Sequence, residues 1–164
     1  MKKLVCLILC VLALLLCFGC TADEAEPQGG ISFYYPMTEL SFQPDSSCFA
    51  SERRQVDSIS WVQTLNIYIA GPESEQMRSP FPAALLIKQV TVEDNTVHLT
   101  VSNHLASLTG LDLTLACSCL CMTATELTGT EEAVISAEDA LLDGQKSISM
   151  SKNNILLANA WQED

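Results

Sequence analysis

The amino terminus constrains this chain most, because it begins with a long apolar run that a domain of this size would have to bury. Leu4 to Phe18 is apolar without a break, it follows Lys2 and Lys3, and no further charged residue appears until Asp23. A charged start, an apolar stretch of about 7–15 residues and a small residue before the cut are typical of a secretory signal peptide. A membrane-spanning helix needs about 20 apolar residues, so an uncleaved anchor is the less favoured alternative. Both alternatives place the rest of the chain outside the cytoplasm.

Residues 16–20, at the end of this run, read Leu-Cys-Phe-Gly-Cys. They resemble the lipobox, after which bacterial lipoproteins are cut and acylated, although Cys17 stands where leucine is usual and Phe18 is bulky for its position. The resemblance implies cleavage between Gly19 and Cys20 and a diacylglycerol on Cys20, and two acyl chains are enough for stable anchoring. We therefore predict a signal peptide at residues 1–19. The lipid bilayer is then a partner through Cys20, at the outer face of the bacterial cytoplasmic membrane.

The mature chain is acidic and has the size of one domain. Cleavage leaves 145 residues with 20 acidic and six basic side chains, a formal charge of −14. We predict no nucleic-acid partner, because phosphate binding requires a basic face. Anionic lipid headgroups also repel an acidic domain. Residues 20–30 are predicted as the lipidated cysteine and an acidic linker, residues 31–144 as the folded domain, and residues 145–164 as a tail.

The remaining pattern predicts an α+β fold, with a small, mostly antiparallel sheet and two helices packed on one face. Asp94-Asn95 suits a tight hairpin turn because both residues tolerate positive φ. Gly71-Pro72 and Gly129 are expected to end the two helices. For the tail at residues 145–164, the pattern allows either an extra strand or frayed chain. The predicted elements are strands at 31–35, near 40–42 and at 53–56, a helix capped by Asp57 or Ser58 and running to Ala70, a hairpin at 86–101, a helix at 111–127 and a strand at 133–137.

Several short motifs follow one another within residues 31–144. They are Tyr34-Tyr35-Pro36, Glu52-Arg53-Arg54, Tyr68-Ile69-Ala70-Gly71-Pro72, Pro80 to Pro82, the Val90 to Val101 hairpin, the long second helix, and Val134 to Gly144. In this order they resemble the GerMN domain of sporulation and spore-germination lipoproteins of Firmicutes. The resemblance implies a fold like the ring-building domains of secretion and sporulation channels. It also implies a protein partner and a role in assembling or positioning an envelope complex, without catalysis.

Cys117, Cys119 and Cys121 form the cluster that invites a metal or redox interpretation. Residues two apart on a helix project about 200° apart, so Cys119 cannot share a metal ion with the other two. The favoured interpretation is that these cysteines are small packing residues. A disulfide from Cys48 to one of them stays open in an extracytoplasmic protein.

The sequence shows no pattern of a hydrolase. It contains no Gly-x-Ser-x-Gly motif, and neither His98 nor His104 has an obvious orienting carboxylate. We therefore predict no enzyme, no metal site and no cofactor. The other chemistry-bearing residues are given structural roles: Glu131-Glu132 and Glu138-Asp139 on a solvated surface, Arg53-Arg54 at a solvent-facing edge, and Trp61 in the core.

Three functional classes follow, and each predicts a different surface. The favoured class is a lipid-anchored interaction module, which predicts an exposed, partly apolar strip without a deep pocket. The alternative is a lipoprotein that binds a small ligand or a cell-wall fragment, which predicts a concave pocket with a few convergent polar groups. A thiol or metal enzyme is the third class, and it predicts exposed cysteines of low pKa.

Overall fold

The computed structural model describes residues 30–39, 48–57 and 60–155. The predicted signal peptide, the lipidation site and the short strand near residues 40–42 lie outside the described residues. The described elements are β1 (Ile31–Pro36), β2 (Phe49–Arg54), α1 (Trp61–Ile69), β3 (Ile87–Glu93), β4 (Thr96–Val101), α2 (Gly110–Thr128), β5 (Glu132–Ala137) and β6 (Ser147–Ser151), with short 3-10 helices at Asn103–Ser107 and Lys152–Asn154.

The described strands form two sheets, which confirms the α+β class. β1 and β2 pair antiparallel as one sheet. The second sheet has the order β3-β4-β5-β6, in which β4 and β5 are parallel and the other neighbours antiparallel. A parallel pair needs a long crossover connection, and α2 supplies it between β4 and β5.

Helix α2 packs against strands of both sheets. The hydroxyl oxygen of Thr123 accepts a hydrogen bond from the backbone N–H of Tyr34 in β1 (3.1 Å), while the thiol of Cys121 donates to the backbone oxygen of Met150 in β6 (3.5 Å). Residues two apart point to nearly opposite sides of a helix, so α2 is covered on two sides. By length and composition alone, α2 is one described helix that could also cross a membrane, but its packing is that of a core helix.

The hairpin of β3 and β4 was predicted correctly. Asp94 (φ 44°) and Asn95 (φ 67°) form its two-residue turn, and Val97, Leu99 and Val101 are fully buried. The pairing register shifts between Ile87 and Gln89, which is a bulge near the start of β3. The carboxyl-terminal end of α2 is also as predicted, because Gly129 adopts the left-handed conformation (φ 72°) that glycine permits.

Helix α1 begins later than the sequence suggested. Its cap is Ser60, whose side-chain oxygen accepts a hydrogen bond from the N–H of Gln63 (3.3 Å), so the predicted cap at Asp57 or Ser58 is wrong. Trp61 is the first helical residue and is 43% exposed, so its predicted place in the core is wrong as well. The buried side of α1 consists instead of Thr64, Leu65 and Tyr68.

Strand boundaries differ from the sequence-based ones at β2 and β6. β2 begins at Phe49 rather than near Arg53, because its whole length pairs with β1. Of the two alternatives for residues 145–164, an extra strand is found: Ser147–Ser151 pairs antiparallel with β5. The four-stranded sheet therefore continues past residue 144.

Replacing Asn66 with alanine is expected to destabilise the domain by about 1–3 kcal/mol, because backbone groups of β3 lose their partner. The Asn66 side chain donates to the backbone oxygen of Ile87 and accepts from its N–H, both at 3.0 Å. Chemical denaturation of Asn66→Ala measures this cost. Asn66→Asp keeps the acceptor but places a carboxylate oxygen against the backbone oxygens of Val62 and Ile87, so it should lose at least as much as Asn66→Ala. Equal stability of all three proteins would contradict the assignment.

Candidate functional site

The predicted lipidation and cleavage residues, Cys20 and Gly19, lie outside the described residues. The described part of the chain begins at Gly30, and β1 begins one residue later at Ile31. The structure does not describe residues 1–29, so the cleavage site, the lipidation and the linker stay predictions.

The cysteine cluster is buried, and its thiols are free. Cys117, Cys119 and Cys121 are each 0% exposed. Burial raises the pKa of Cys117 to about 12 and that of Cys121 to about 11, and burial also raises the pKa of Cys119. A reactive or metal-binding cysteine must form a thiolate near neutral pH. These thiols pack as small apolar groups, which confirms their favoured interpretation.

The two histidines and the four acidic residues of the acidic pairs all lie in the described ranges. No three histidine, cysteine or acidic side chains come together there in a way that could hold a metal ion. The Nδ1 atom of His104 lies 3.3 Å from the hydroxyl oxygen of Ser102. The same hydroxyl oxygen accepts a hydrogen bond from the N–H of Leu86, so Ser102 binds the backbone just before β3. The predicted solvated surface is confirmed for the four acidic residues, which are all exposed: Glu131, Glu132, Glu138 and Asp139.

Arg54 does not have the solvent-facing position predicted for it. Its side chain is 12% exposed and forms an ion pair with Glu52, two residues away on the same side of β2. The guanidinium also donates to the backbone oxygen of Gly71 (2.7 Å), and the Glu52 carboxylate accepts from the N–H groups of Glu73 and Ser74. This pair holds the loop after α1 against β2, so Arg54 has a structural role, whereas Arg53 is exposed.

An open groove with a volume of about 440 Å³ runs along the amino-terminal half of α2. Its floor is a stripe of α2 residues spaced i, i+3, i+4 and i+7: Leu111, Thr114, Leu115 and Ser118. One wall is the start of β2, at Cys48 and Phe49. The other is Ser149–Ser151 of β6 with Asn154 and Ile155 after it. We call this feature the α2 groove.

The α2 groove was not predicted from the sequence. Leu111 is the first residue of the predicted helix but is 72% exposed, more than the other exposed large apolar residues of the described ranges. Leu115 lies one turn further along the same helix and is half-buried. Helical periodicity identifies a stripe of residues, but it cannot tell a stripe covered by a sheet from one that faces an open groove.

No protein-family model matches the chain, and no curated protein does. Among solved structures, a crystal structure of a candidate lipoprotein from Clostridium perfringens is similar, with 16% sequence identity and a TM-score of 0.46. The alignment covers 80% of this chain and 92% of that one. At this identity and TM-score the similarity assigns neither a family nor a function, and the GerMN resemblance stays a prediction.

Proposed function

We propose that this protein is a lipid-anchored extracytoplasmic lipoprotein whose folded domain is a non-enzymatic interaction module. Its specific role is to assist assembly or positioning of a sporulation or germination envelope complex. The resemblance of residues 31–144 to GerMN domains supports this role. The observation that carries the proposal is the spacing along the chain: an apolar leader ends at Cys20, and β1 begins at Ile31.

The short tether restricts where the domain acts. Residues 21–30 contain Gly29-Gly30 and acidic side chains. A flexible chain of ten residues has an end-to-end distance of roughly 5–6 Å times the square root of its length, or about 18 Å. Anionic headgroups repel the acidic domain, so it stays near the bilayer surface without lying on it. A partner must therefore present its binding site close to the membrane.

The described residues favour binding over catalysis. The three cysteines that a thiol or metal enzyme would use are buried, and burial raises their pKa values. The histidines lack an orienting carboxylate among the described residues. The surface instead has a partly apolar strip at Leu111, which is exposed, and Leu115, which is half-buried. An exposed strip is what the interaction class predicts.

Replacing Cys20 with alanine is expected to abolish acylation and stable membrane attachment, because the thioether to diacylglycerol cannot form. Cell fractionation and intact-protein mass measurement detect the change. Cys17→Ala is the matched control in the same leader, and it should remain acylated and in the membrane. A native protein that keeps residues 1–19 and carries no acyl groups would contradict the proposal and support an uncleaved anchor.

The assembly role has its own test in the host. Deleting the gene should lower spore formation or germination, and cross-linking of the tethered protein in a sporulating culture should capture a membrane-proximal protein. Unchanged sporulation and germination would contradict this role while leaving the lipid anchor intact.

The volume of the α2 groove favours one second candidate, a lipoprotein that binds a small ligand or a cell-wall fragment. Ligand pockets span about 300–1,000 Å³, and the groove has about 440 Å³ with hydroxyl groups from Thr114, Ser118 and Ser149. Native mass spectrometry of the purified protein with soluble wall fragments tests it. A bound fragment that is lost in Leu115→Asp would favour this candidate over the interaction module.

A further inference from the structure

The floor of the α2 groove is apolar, and the described part of the chain leaves it open. Leu111 is 72% exposed and Leu115 is half-buried, although both lie on the helix that forms the centre of the domain. Removing such apolar area from water is favourable, roughly in proportion to the area covered. The groove therefore favours an apolar occupant.

The chain itself arrives at this groove. After β6, a single helical turn at Lys152–Asn154 leads to Ile155, which lines the groove and has an extended backbone (φ −73°, ψ 110°). The sequence continues with Leu156-Leu157-Ala158-Asn159-Ala160-Trp161, in which five of six residues are apolar. The apolar sequence thus begins where the described chain meets the groove.

The length of this segment suits the groove. Six extended residues span at most about 20 Å, and the α2 stripe from Leu111 to Ser118 rises about 10 Å along the helix axis. The segment is therefore long enough to cover the stripe.

We propose that the α2 groove is the docking site of the chain's own carboxyl-terminal segment, residues 156–161. A tethered segment has an effective concentration in the millimolar range, which gives it an advantage over a second copy or a free apolar partner. Two copies of this domain also repel each other, because each mature chain has a formal charge of −14. This inference is independent of the lipid anchor, since it concerns only contacts within one chain. A docked segment covers Leu111 and Leu115, so a protein partner that uses this strip must displace the segment.

Tryptophan fluorescence tests the docking directly. The chain has two tryptophans, Trp61 and Trp161, so Trp61→Phe in the full-length protein, purified in detergent, leaves Trp161 as the reporter. Docked Trp161 should emit at a shorter wavelength and be quenched by acrylamide several-fold less than in the same protein carrying Leu111→Asp. The aspartate lies in the first turn of α2, where the helix dipole favours a negative charge, so this variant should keep its fold.

Leu141→Asp is the matched control, because Leu141 is 54% exposed and does not line the groove. It should leave the emission and quenching of Trp161 unchanged. Equal quenching of Trp161 with and without Leu111→Asp overturns the proposal. Protection of Trp161 that disappears on dilution overturns it too, because a second copy would then be the occupant.

Cys48 provides a second readout, since it is a half-buried free thiol in the groove wall. Removing residues 156–164 should raise its rate of alkylation by iodoacetamide several-fold, while the buried cysteines of α2 stay unmodified in the folded protein. An unchanged alkylation rate after truncation also overturns the proposal.

Discussion

Between pH 7.5 and 9.5 the domain is expected to lose about 4 kcal/mol of its free energy of unfolding through three buried thiols. Cys117, Cys119 and Cys121 are 0% exposed, and burial raises the pKa of each in the folded state. In the unfolded chain a cysteine ionises near pH 8.5. Small domains are stable by about 5–15 kcal/mol, so this loss is a large part of the total.

The direction of this change in stability follows from the difference in bound thiol protons between the folded and the unfolded state. Above about pH 8.5 the unfolded chain releases thiol protons that the folded state retains, so unfolding becomes more favourable by about 1.4 kcal/mol per pH unit for each thiol. The stabilising contribution is complete below pH 8.5 and is lost as the pH rises towards the folded-state pKa values, about 11 for Cys121 and about 12 for Cys117. Burial also raises the pKa of Tyr34 to about 12 and that of Tyr68, so tyrosines add to the loss above pH 10.

Urea denaturation at a series of pH values, in the presence of a thiol reductant, measures this slope. The double variant Cys117→Ala, Cys121→Ala is the control, because it should keep about one third of the slope. The cavities that these substitutions create lower stability equally at every pH, so they do not affect the comparison. A slope that is the same in the parent and the double variant would contradict the assignment.

Tyr68→Ala is expected to destabilise the domain by about 3–5 kcal/mol, which is typical of removing a large buried ring. Tyr68 is fully buried, and its ring lies 5.0 Å from Tyr35 and 5.2 Å from both Phe33 and Phe81, measured between ring centroids. Its hydroxyl donates to the backbone oxygen of Tyr34 at 2.7 Å. The residue therefore joins α1 to β1 through both packing and a hydrogen bond.

Tyr68→Phe separates the two contributions. It keeps the ring and loses only the hydroxyl, so it should cost about 1–3 kcal/mol as the Tyr34 oxygen loses its donor. Thermal or chemical denaturation of both variants measures the difference. A Phe variant as unstable as the Ala variant would show that the ring contacts contribute little.

Elements with a strong local signal were predicted well. The alternating residues of the hairpin and the Asp94-Asn95 turn require only neighbouring strands and positive φ, and both are found. Gly129 ends α2 because glycine adopts the left-handed conformation without steric cost. The packing role of Cys117, Cys119 and Cys121 was also predicted, but burial of all three requires that α2 be covered on two sides, which its packing against both sheets provides.

Other features depended on partners that are distant in sequence. Arg54 is held by Glu52 and the backbone oxygen of Gly71, so its burial depends on the loop after α1. Trp61 is exposed because α1, which is capped by Ser60, places Leu65 and Tyr68 on its buried side. Strand β6 forms because Ser147–Ser151 pairs antiparallel with β5.

By itself the sequence determined that an apolar leader ends at a cysteine, that an acidic domain follows, and that this domain is α+β, because these properties depend on composition and short-range periodicity. Tertiary structure alone decided that α2 packs against two sheets and that the Leu111 and Leu115 stripe faces an open groove. Periodicity shows which residues share a helix face, but only the packing of β2 and β6 beside α2 decides which face is covered.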